Sequence, residues 1–423
     1  MDRITAGRAL ALALMITAPI TNATAQTWST IGGNASHNGY VPVTLNTGNF
    51  RTKWEQTAFL NTAVSRGVAV DGGRVFLTSD DGSRNQVQAL NSATGAQLWN
   101  VNLNSLDTNA RFTASPVAGG GNVYVQTAVG YPTGIRLRAF DGATGTLRWT
   151  VTSPEVSADR YLRPTYYSGN IYTANYVPYG YTGVSSYNAA TGASVWSTPT
   201  GHYAPYFSPA VDSTQVYVYH GADNPGLYVY NRQTGALAQS VADPNFNPDL
   251  GTVYAATPVL GKPGDAIVTS QDRIMCFDTV NGTIKWQRSA FYDSMPAVAN
   301  GVIYAVSYYH VDAIDEDTGS LLWSWTAPKQ LKLDVMASQN YLFVSVQSEY
   351  FANTYNTYAL NLTTHTTDWT LYGFYACALT SDTLYAANDR SQSLVAVNLI
   401  PEPGCLVILA CGIGGLLLRT KRR

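Results

Sequence analysis

The chain has 423 residues, of which 45 % are apolar and 12 % charged, with a formal net charge of −2. That apolar share excludes a disordered chain, and the length is enough to bury a large core. The near-neutral charge excludes a partner bound through a basic surface, nucleic acid above all.

Residues 1–25 read as a secretory signal peptide. Arg3 and Arg8 form a basic start, 9–20 is an apolar run, and Ala23-Thr24-Ala25 is a small-x-small cleavage site before Gln26. A second signal, taken up below, begins at residue 401. Between the two, residues 26–400 carry 19 Lys/Arg against 25 Asp/Glu, a net −6.

The body rewrites one stretch many times. Phe140-Asp141-Gly142-Ala143-Thr144-Gly145-Thr146-Leu147-Arg148-Trp149 defines a frame with Asn or Asp four before a glycine and Trp four after it. Gly95 with Trp99, Gly145 with Trp149, Gly192 with Trp196, Gly282 with Trp286 and Gly319 with Trp323 keep the frame. Gly235 has Gln239 where Trp belongs, and His365 replaces the glycine ahead of Trp369. The anchors fall at 95, 145, 192, 235, 282, 319 and 365, a mean step of 45 residues. Each copy reads as strand, tight turn, strand: the Asn/Asp side chain folds back on its backbone, and glycine supplies a positive φ. The Trp then buries a large apolar body in the following strand. Short strands inside a fixed period of this size predict propeller blades of about four strands.

A second strand with alternating apolar residues recurs eight times, at 75–79, 123–127, 171–175, 216–220, 266–270, 303–307, 342–346 and 384–388. The eighth copy stops at Asn398 without an outer strand. Residues 51–57, carrying Trp54, are the candidate to complete it, which removes an open sheet edge. The expectation is an all-β, eight-bladed propeller of four-stranded antiparallel blades, closed by the N-terminal strand. Pro116, Pro164, Pro209, Pro258 and Pro296 precede inner strands, where proline sacrifices no ladder bond.

The repeats resemble the PQQ-like propeller family over residues 27–400. Trp28…Gly32-Gly33-Asn34…Asn38-Gly39 is similar to the segment that precedes the first blade there. The family includes PQQ-dependent alcohol dehydrogenases, outer-membrane assembly scaffolds and exported proteins without a cofactor. The repeat is a packing signature, so the resemblance implies the fold and not the chemistry.

At the end of the chain, Pro401-Glu402-Pro403 is followed by an apolar run at 405–418 and then by Arg419, Lys421, Arg422 and Arg423. Fourteen apolar residues make a short membrane span, for which flanking basic residues compensate by snorkelling. The order of features resembles a PEP-CTERM sorting signal. The resemblance implies an exosortase-type processing protease as partner, transient membrane anchoring, and delivery to the periplasm, cell surface or extracellular matrix. The domain reading is therefore signal peptide 1–25, propeller 26–400 and sorting signal 401–423.

Chemistry is sparse. The four cysteines form no CxxC, CxxCH or adjacent pair, and Cys276 and Cys377 fall in strands of non-adjacent blades. The five histidines show no metal-binding spacing, and the acidic turns at 80–83 and 312–317 read as solvated turns. No catalytic set, metal or cofactor is assigned. What remains is an aromatic loop face. The inter-blade loops carry Phe112, Tyr161, Tyr203, Tyr206, Tyr254, Tyr292 and Tyr375, with Arg111, Arg160 and Arg163 among them. The loops between second and third strands open on the same face, and those at 176–181 and 350–358 are aromatic too. The reading is a non-enzymatic binding or scaffold propeller that engages an envelope protein or polysaccharide. Its alternatives are a PQQ-dependent dehydrogenase-like enzyme and an outer-membrane assembly scaffold.

Overall fold

This computed structural model describes residues 27–56, 64–80, 85–108, 110–129, 134–153, 163–175, 183–200, 208–220, 224–247, 257–270, 272–292, 294–332, 335–348 and 354–400. Residues 1–25, read above as a signal peptide, and Pro401, Glu402, Pro403 and the apolar run at 405–418 lie outside them.

Eight antiparallel sheets run in chain order. Blade 1 is built from Val64–Asp71, Arg74–Asp80, Asn85–Asn91 and Gln97–Asn102, from inner to outer strand. Blades 2 to 7 occupy 110–153, 165–199, 210–242, 259–289, 297–326 and 336–371. In blade 2 the inner strand is broken into Ala110–Thr113 and Val117–Gly119, both paired with Asn122–Val129. Blade 8 takes Tyr375–Leu379, Thr383–Asn388 and Ser393–Asn398, and its outer strand is Arg51–Gln56. Arg51 pairs with Asn398 and Trp54 with Ala396, so the N-terminal strand closes the ring as expected.

The repeated turn works through local chemistry. In the turn of blade 2, Asp141 Oδ1 accepts from Ala143 N, Thr144 N and the Thr144 hydroxyl, while Gly145 sits at φ 72. A second reason for glycine lies across the blade boundary. A Cβ on Gly145 would stand 2.7 Å from the ring of Trp99, which belongs to blade 1. The tryptophan therefore docks on the next blade's turn, and its Nε1 donates to Gly142 O at 3.0 Å.

The same bond recurs around the ring. Trp54 donates to Ser92 O, Trp149 to Ala189 O, Trp196 to Arg232 O and Trp286 to Glu316 O. Where the frame is degraded, the joint is rebuilt with other atoms. Gln239 donates through its amide to Thr279 O at 2.9 Å and accepts from Gly282 N. A buried Arg273–Asp243 pair at 2.7 Å, joined by the Tyr219 hydroxyl, links blades 4 and 5 at the other end of the same strands. His365 holds φ 58 without glycine, and its ring stacks on Trp323 at 4.3 Å between centroids. Blade 8 has no such turn, and Trp369 meets Phe50 edge to face at 5.1 Å instead. Cys276 and Cys377 are buried and free.

The segment before the closing strand fills the centre of the ring. Trp28 exchanges both backbone bonds with Val70 of blade 1, and Ser29 O accepts from Ala118 N of blade 2. The Thr30 hydroxyl donates to Pro164 O of blade 3. Ala35, Ser36, Asn38 and Gly39 carbonyls accept from Val211, Leu260, Val298 and Ala337 of blades 4 to 7, at 2.7–2.8 Å. Each inner strand has one free edge at the axis, where buried backbone groups need partners. Residues 28–39 supply about one partner per blade, and the chain then passes into blade 8.

The joint geometry makes a paired test. Gly145→Ala meets both the positive φ and the Trp99 ring and is expected to cost about 3 kcal/mol. Gly121→Ala, at φ 79 with no atom within 4 Å of the new Cβ, is expected to cost about 1 kcal/mol. Urea unfolding midpoints of the two variants check the difference; equal losses would remove the ring contact from the explanation.

Candidate functional site

The inner strands begin on the face that carries the inter-blade loops, and the plug 28–39 lies nearer their other ends. A pocket opens at the axis between the two. Its floor is Trp28, Ile31 and Gly32 of the plug, and its wall is Gly67, Ser115, Pro116, Arg163, Met295, Val335, Met336 and Cys377. Six blades contribute, each through its inner strand or the residues just ahead of it. The enclosed volume is about 30 Å³.

Arg163 is buried, with 7 % of its surface exposed, and is the charged side chain among the described lining residues. Beneath it His37 is fully buried at φ 58. Its Nδ1 lies 3.2 Å from Pro258 O and its Nε2 3.2 Å from the Thr165 hydroxyl, which also donates to Pro209 O. A carbonyl can only accept, so Nδ1 carries the proton of the neutral ring and Nε2 shares the Thr165 hydroxyl with Pro209. Burial pushes the His37 pKa down to about 4; the Pro258 carbonyl opposes this and the Arg163 charge adds to it. Cys377 donates its thiol to Tyr375 O at 3.5 Å.

The residues expected on an aromatic face divide differently. The side chains of Arg111 and Phe112, and residues Arg160, Tyr161, Tyr203, Tyr206 and Tyr254, lie outside the described residues. Arg163 faces the central pocket. Tyr292 and Tyr375, read as members of the aromatic loop face, are buried. Their hydroxyls donate to Asp312 and Asp389, each at 2.7 Å, which draws both rings inward. Lys332 lies over the Tyr375 ring and 4.8 Å from that of Tyr355, completing the cover.

The exposed rings on this face are neighbours that sequence reasoning passed over. Phe291 and Tyr308 stack at 5.2 Å and 12°, and both are more than 40 % exposed. Tyr309 is exposed beside Tyr308, and Tyr372 stands 75 % exposed in the loop before blade 8. Phe291 and Tyr372 belong to inter-blade loops, and Tyr308 and Tyr309 to the loop between second and third strands.

The acidic turn at 315–317 is occupied by its own structure. Asp315 caps the repeat turn, Glu316 accepts from Lys262 N, and Asp317 pairs with Lys262 and Lys285. Among the described residues no group of three or more His, Cys, Asp or Glu is placed to hold a metal ion. Among the described lining residues no carboxylate stands in the wall to bind the Ca²⁺ that accompanies a quinone of the PQQ type.

Comparison with known proteins agrees with this architecture. The family model described as outer membrane protein assembly factor BamB matches residues 38–241, 136–310 and 249–342. Tetrathionate hydrolase of Acidithiobacillus ferrooxidans is 24 % identical over 318 residues, which cover 65 % of this chain and 60 % of that relative's length. The crystal structure of BamB from Moraxella catarrhalis superposes with a TM-score of 0.61 at 15 % identity, covering 82 % of this chain and 99 % of that one. Quinohemoprotein alcohol dehydrogenase from Comamonas testosteroni gives 0.68 at 14 % identity, covering 89 % and 81 %. At these identities the structures share the fold alone.

His37 gives the site a pH signature. The unfolded chain takes up this proton near 6.5 and the folded ring only near 4. Stability is therefore complete above 6.5 and falls as pH drops toward 4, by on the order of 3 kcal/mol. His37→Asn, which tolerates the positive φ, is expected to flatten the slope of the urea midpoint across that window; an unchanged slope would remove His37 as its source.

Proposed function

We propose that this chain, which belongs to the family of the outer membrane protein assembly factor BamB, is an exported binding propeller of the cell envelope or exopolysaccharide matrix. It holds a protein or polysaccharide partner on the face that carries Phe291, Tyr308, Tyr309 and Tyr372. The observation behind this reading is the stacked, exposed Phe291–Tyr308 pair on the loops of a ring that is otherwise locked. Exposed aromatic rings offer large contact area at little cost in side-chain freedom, and Tyr adds a hydrogen-bonding tip.

The course of the chain supports the orientation. The third strand of blade 8, Ser393–Asn398, runs away from the aromatic face, and the described chain ends at Ile400 on the opposite side. A sorting signal that begins at Pro401-Glu402-Pro403 would tether that opposite side to the membrane. The aromatic face is then turned outward, where a partner can reach it. Processing by an exosortase-type protease near the motif would release the ring with this face unchanged. The name of the Moraxella relative supports a scaffold role as a variant of the same reading, with an assembly partner in place of a matrix component.

The test uses the full-length chain in detergent. Pull-down from an envelope and exopolysaccharide extract is expected to retain a partner with the native chain. Phe291→Ala combined with Tyr308→Ala is expected to weaken retention about tenfold or more, as at an aromatic hot spot. Equal capture by the two proteins would overturn the assignment of the face. Adding PQQ and Ca²⁺ is expected to give no dye reduction, and turnover would favour the dehydrogenase reading instead.

A further inference from the structure

We propose that Glu316 is a proton-operated clasp between blades 5 and 6: a neutral acid that holds the joint closed at low pH, and a carboxylate that loosens it when ionised. The inference stands apart from recognition on the aromatic face, since Glu316 lies in the turn at the opposite end of its blade.

Three observations carry it. First, the carboxyl stands where the other joints have none. The residue that accepts the incoming indole on its carbonyl is Ser92, Gly142, Ala189 or Arg232 elsewhere, and Glu316 where Trp286 arrives. From that exposed turn the Glu316 side chain does not reach into water. It is 1 % exposed and turns against blade 5, where Oε1 accepts from Lys262 N.

Second, blade 5 is shaped to receive it. A Cβ on Gly261 would overlap Glu316 Oε1, and Gly261 does not sit at a positive φ. Space for the carboxyl, and not backbone conformation, calls for glycine there.

Third, the charges around it do not balance. Asp265, Glu316 and Asp317 are three carboxyls against the ammonium groups of Lys262 and Lys285. Lys262 Nζ pairs with Asp317, and Lys285 Nζ bridges Asp265 at 2.8 Å and Asp317 at 3.0 Å. Asp278 and Asp315 cap their own turns. The Cys276 thiol is fully buried beside Asp265, and burial pushes its pKa up and keeps it neutral. The turns that carry these groups, 260–265, 278–283 and 315–321, all lie within the described residues. A buried carboxylate held by one backbone N–H is costly, so the proton stays on Glu316 more readily than on an ordinary acid. Burial pushes its pKa up; the Lys262 N–H opposes this and the Asp265 charge adds to it.

The unfolded chain takes up this proton near 4.5 and the folded chain at higher pH. The stability that the proton confers is complete below 4.5 and is lost as pH rises through the folded value, the reverse of the His37 effect.

Urea unfolding of the full-length chain in detergent, from pH 4 to pH 9, compares the native protein with Glu316→Gln, a neutral residue of the same shape. Both keep His37, so the difference between their midpoints isolates residue 316. That difference is expected to move in favour of Glu316→Gln by roughly 0.3 M between pH 4 and pH 8. Gly261→Ala tests the seat itself. It is expected to lower the midpoint of the native chain at least twice as far as that of Glu316→Ala, where the colliding carboxyl is gone. A midpoint difference that stays level with pH, or moves the other way, would overturn the proposal. So would an equal cost of Gly261→Ala in the two backgrounds.

Discussion

A ring of sheets turns eight inner strand edges toward one axis, and the backbone groups on those edges cannot be left without partners. The plug at residues 28–39 answers that constraint for blades 1 to 7. It is irregular because it bonds to a different blade every one to five residues, and no regular strand can do so. Gly32 and Gly33 bring it close on itself: a Cβ at 32 would meet His37 O at 2.5 Å, and one at 33 would meet the Trp28 ring at 2.7 Å. Once the plug is seated, the chain leaves through Phe50 to become the outer strand of blade 8. Hub and closure are thus consecutive parts of one segment.

The periphery is held by a different device, a tryptophan that crosses from each blade to the next turn. The joints that depart from it are instructive. Gln239 reproduces the indole's donor bond with its amide while giving up the ring, and a buried arginine–aspartate pair ties the same two blades at the other end of their strands. Such a pair is worth little against well-packed apolar groups, but removing one partner would leave a buried charge. His365 keeps the aromatic contact and accepts the backbone strain of a positive φ. The ring needs a close, hydrogen-bonded contact at each joint more than it needs one residue type.

Much of this was legible in the chain because it is local. Asn/Asp followed by Thr-Gly determines a turn from neighbouring atoms alone, and eight repeats of an apolar strand count the blades. The target of Trp99 was not legible, since Gly142 lies 43 residues further on. Nor was the role of 28–39, whose bonds follow no period. The aromatic face shows the limit most plainly. Of two adjacent rings, Tyr292 turns in and Phe291 turns out, because a half-buried Asp312 is available to one hydroxyl. Composition carries no information on which of two adjacent rings is drawn inward. Arg163 was noted among loop arginines, but its place at the axis depends on six blades meeting there.

Function then follows from what the ring leaves available. The plug closes one end of the axis, so the pocket and the exposed rings share the remaining face. The account depends on the plug being an integral hub and not a loosely attached tail. Amide hydrogen exchange of Val211, Leu260 and Val298, whose N–H groups donate to residues 35, 36 and 38, measures this most directly. The account predicts that these three amides exchange as slowly as Val229 and Val268 within the sheets. Exchange as fast as that of an exposed turn amide would mean that residues 28–39 do not hold the inner strands, and the hub would be lost.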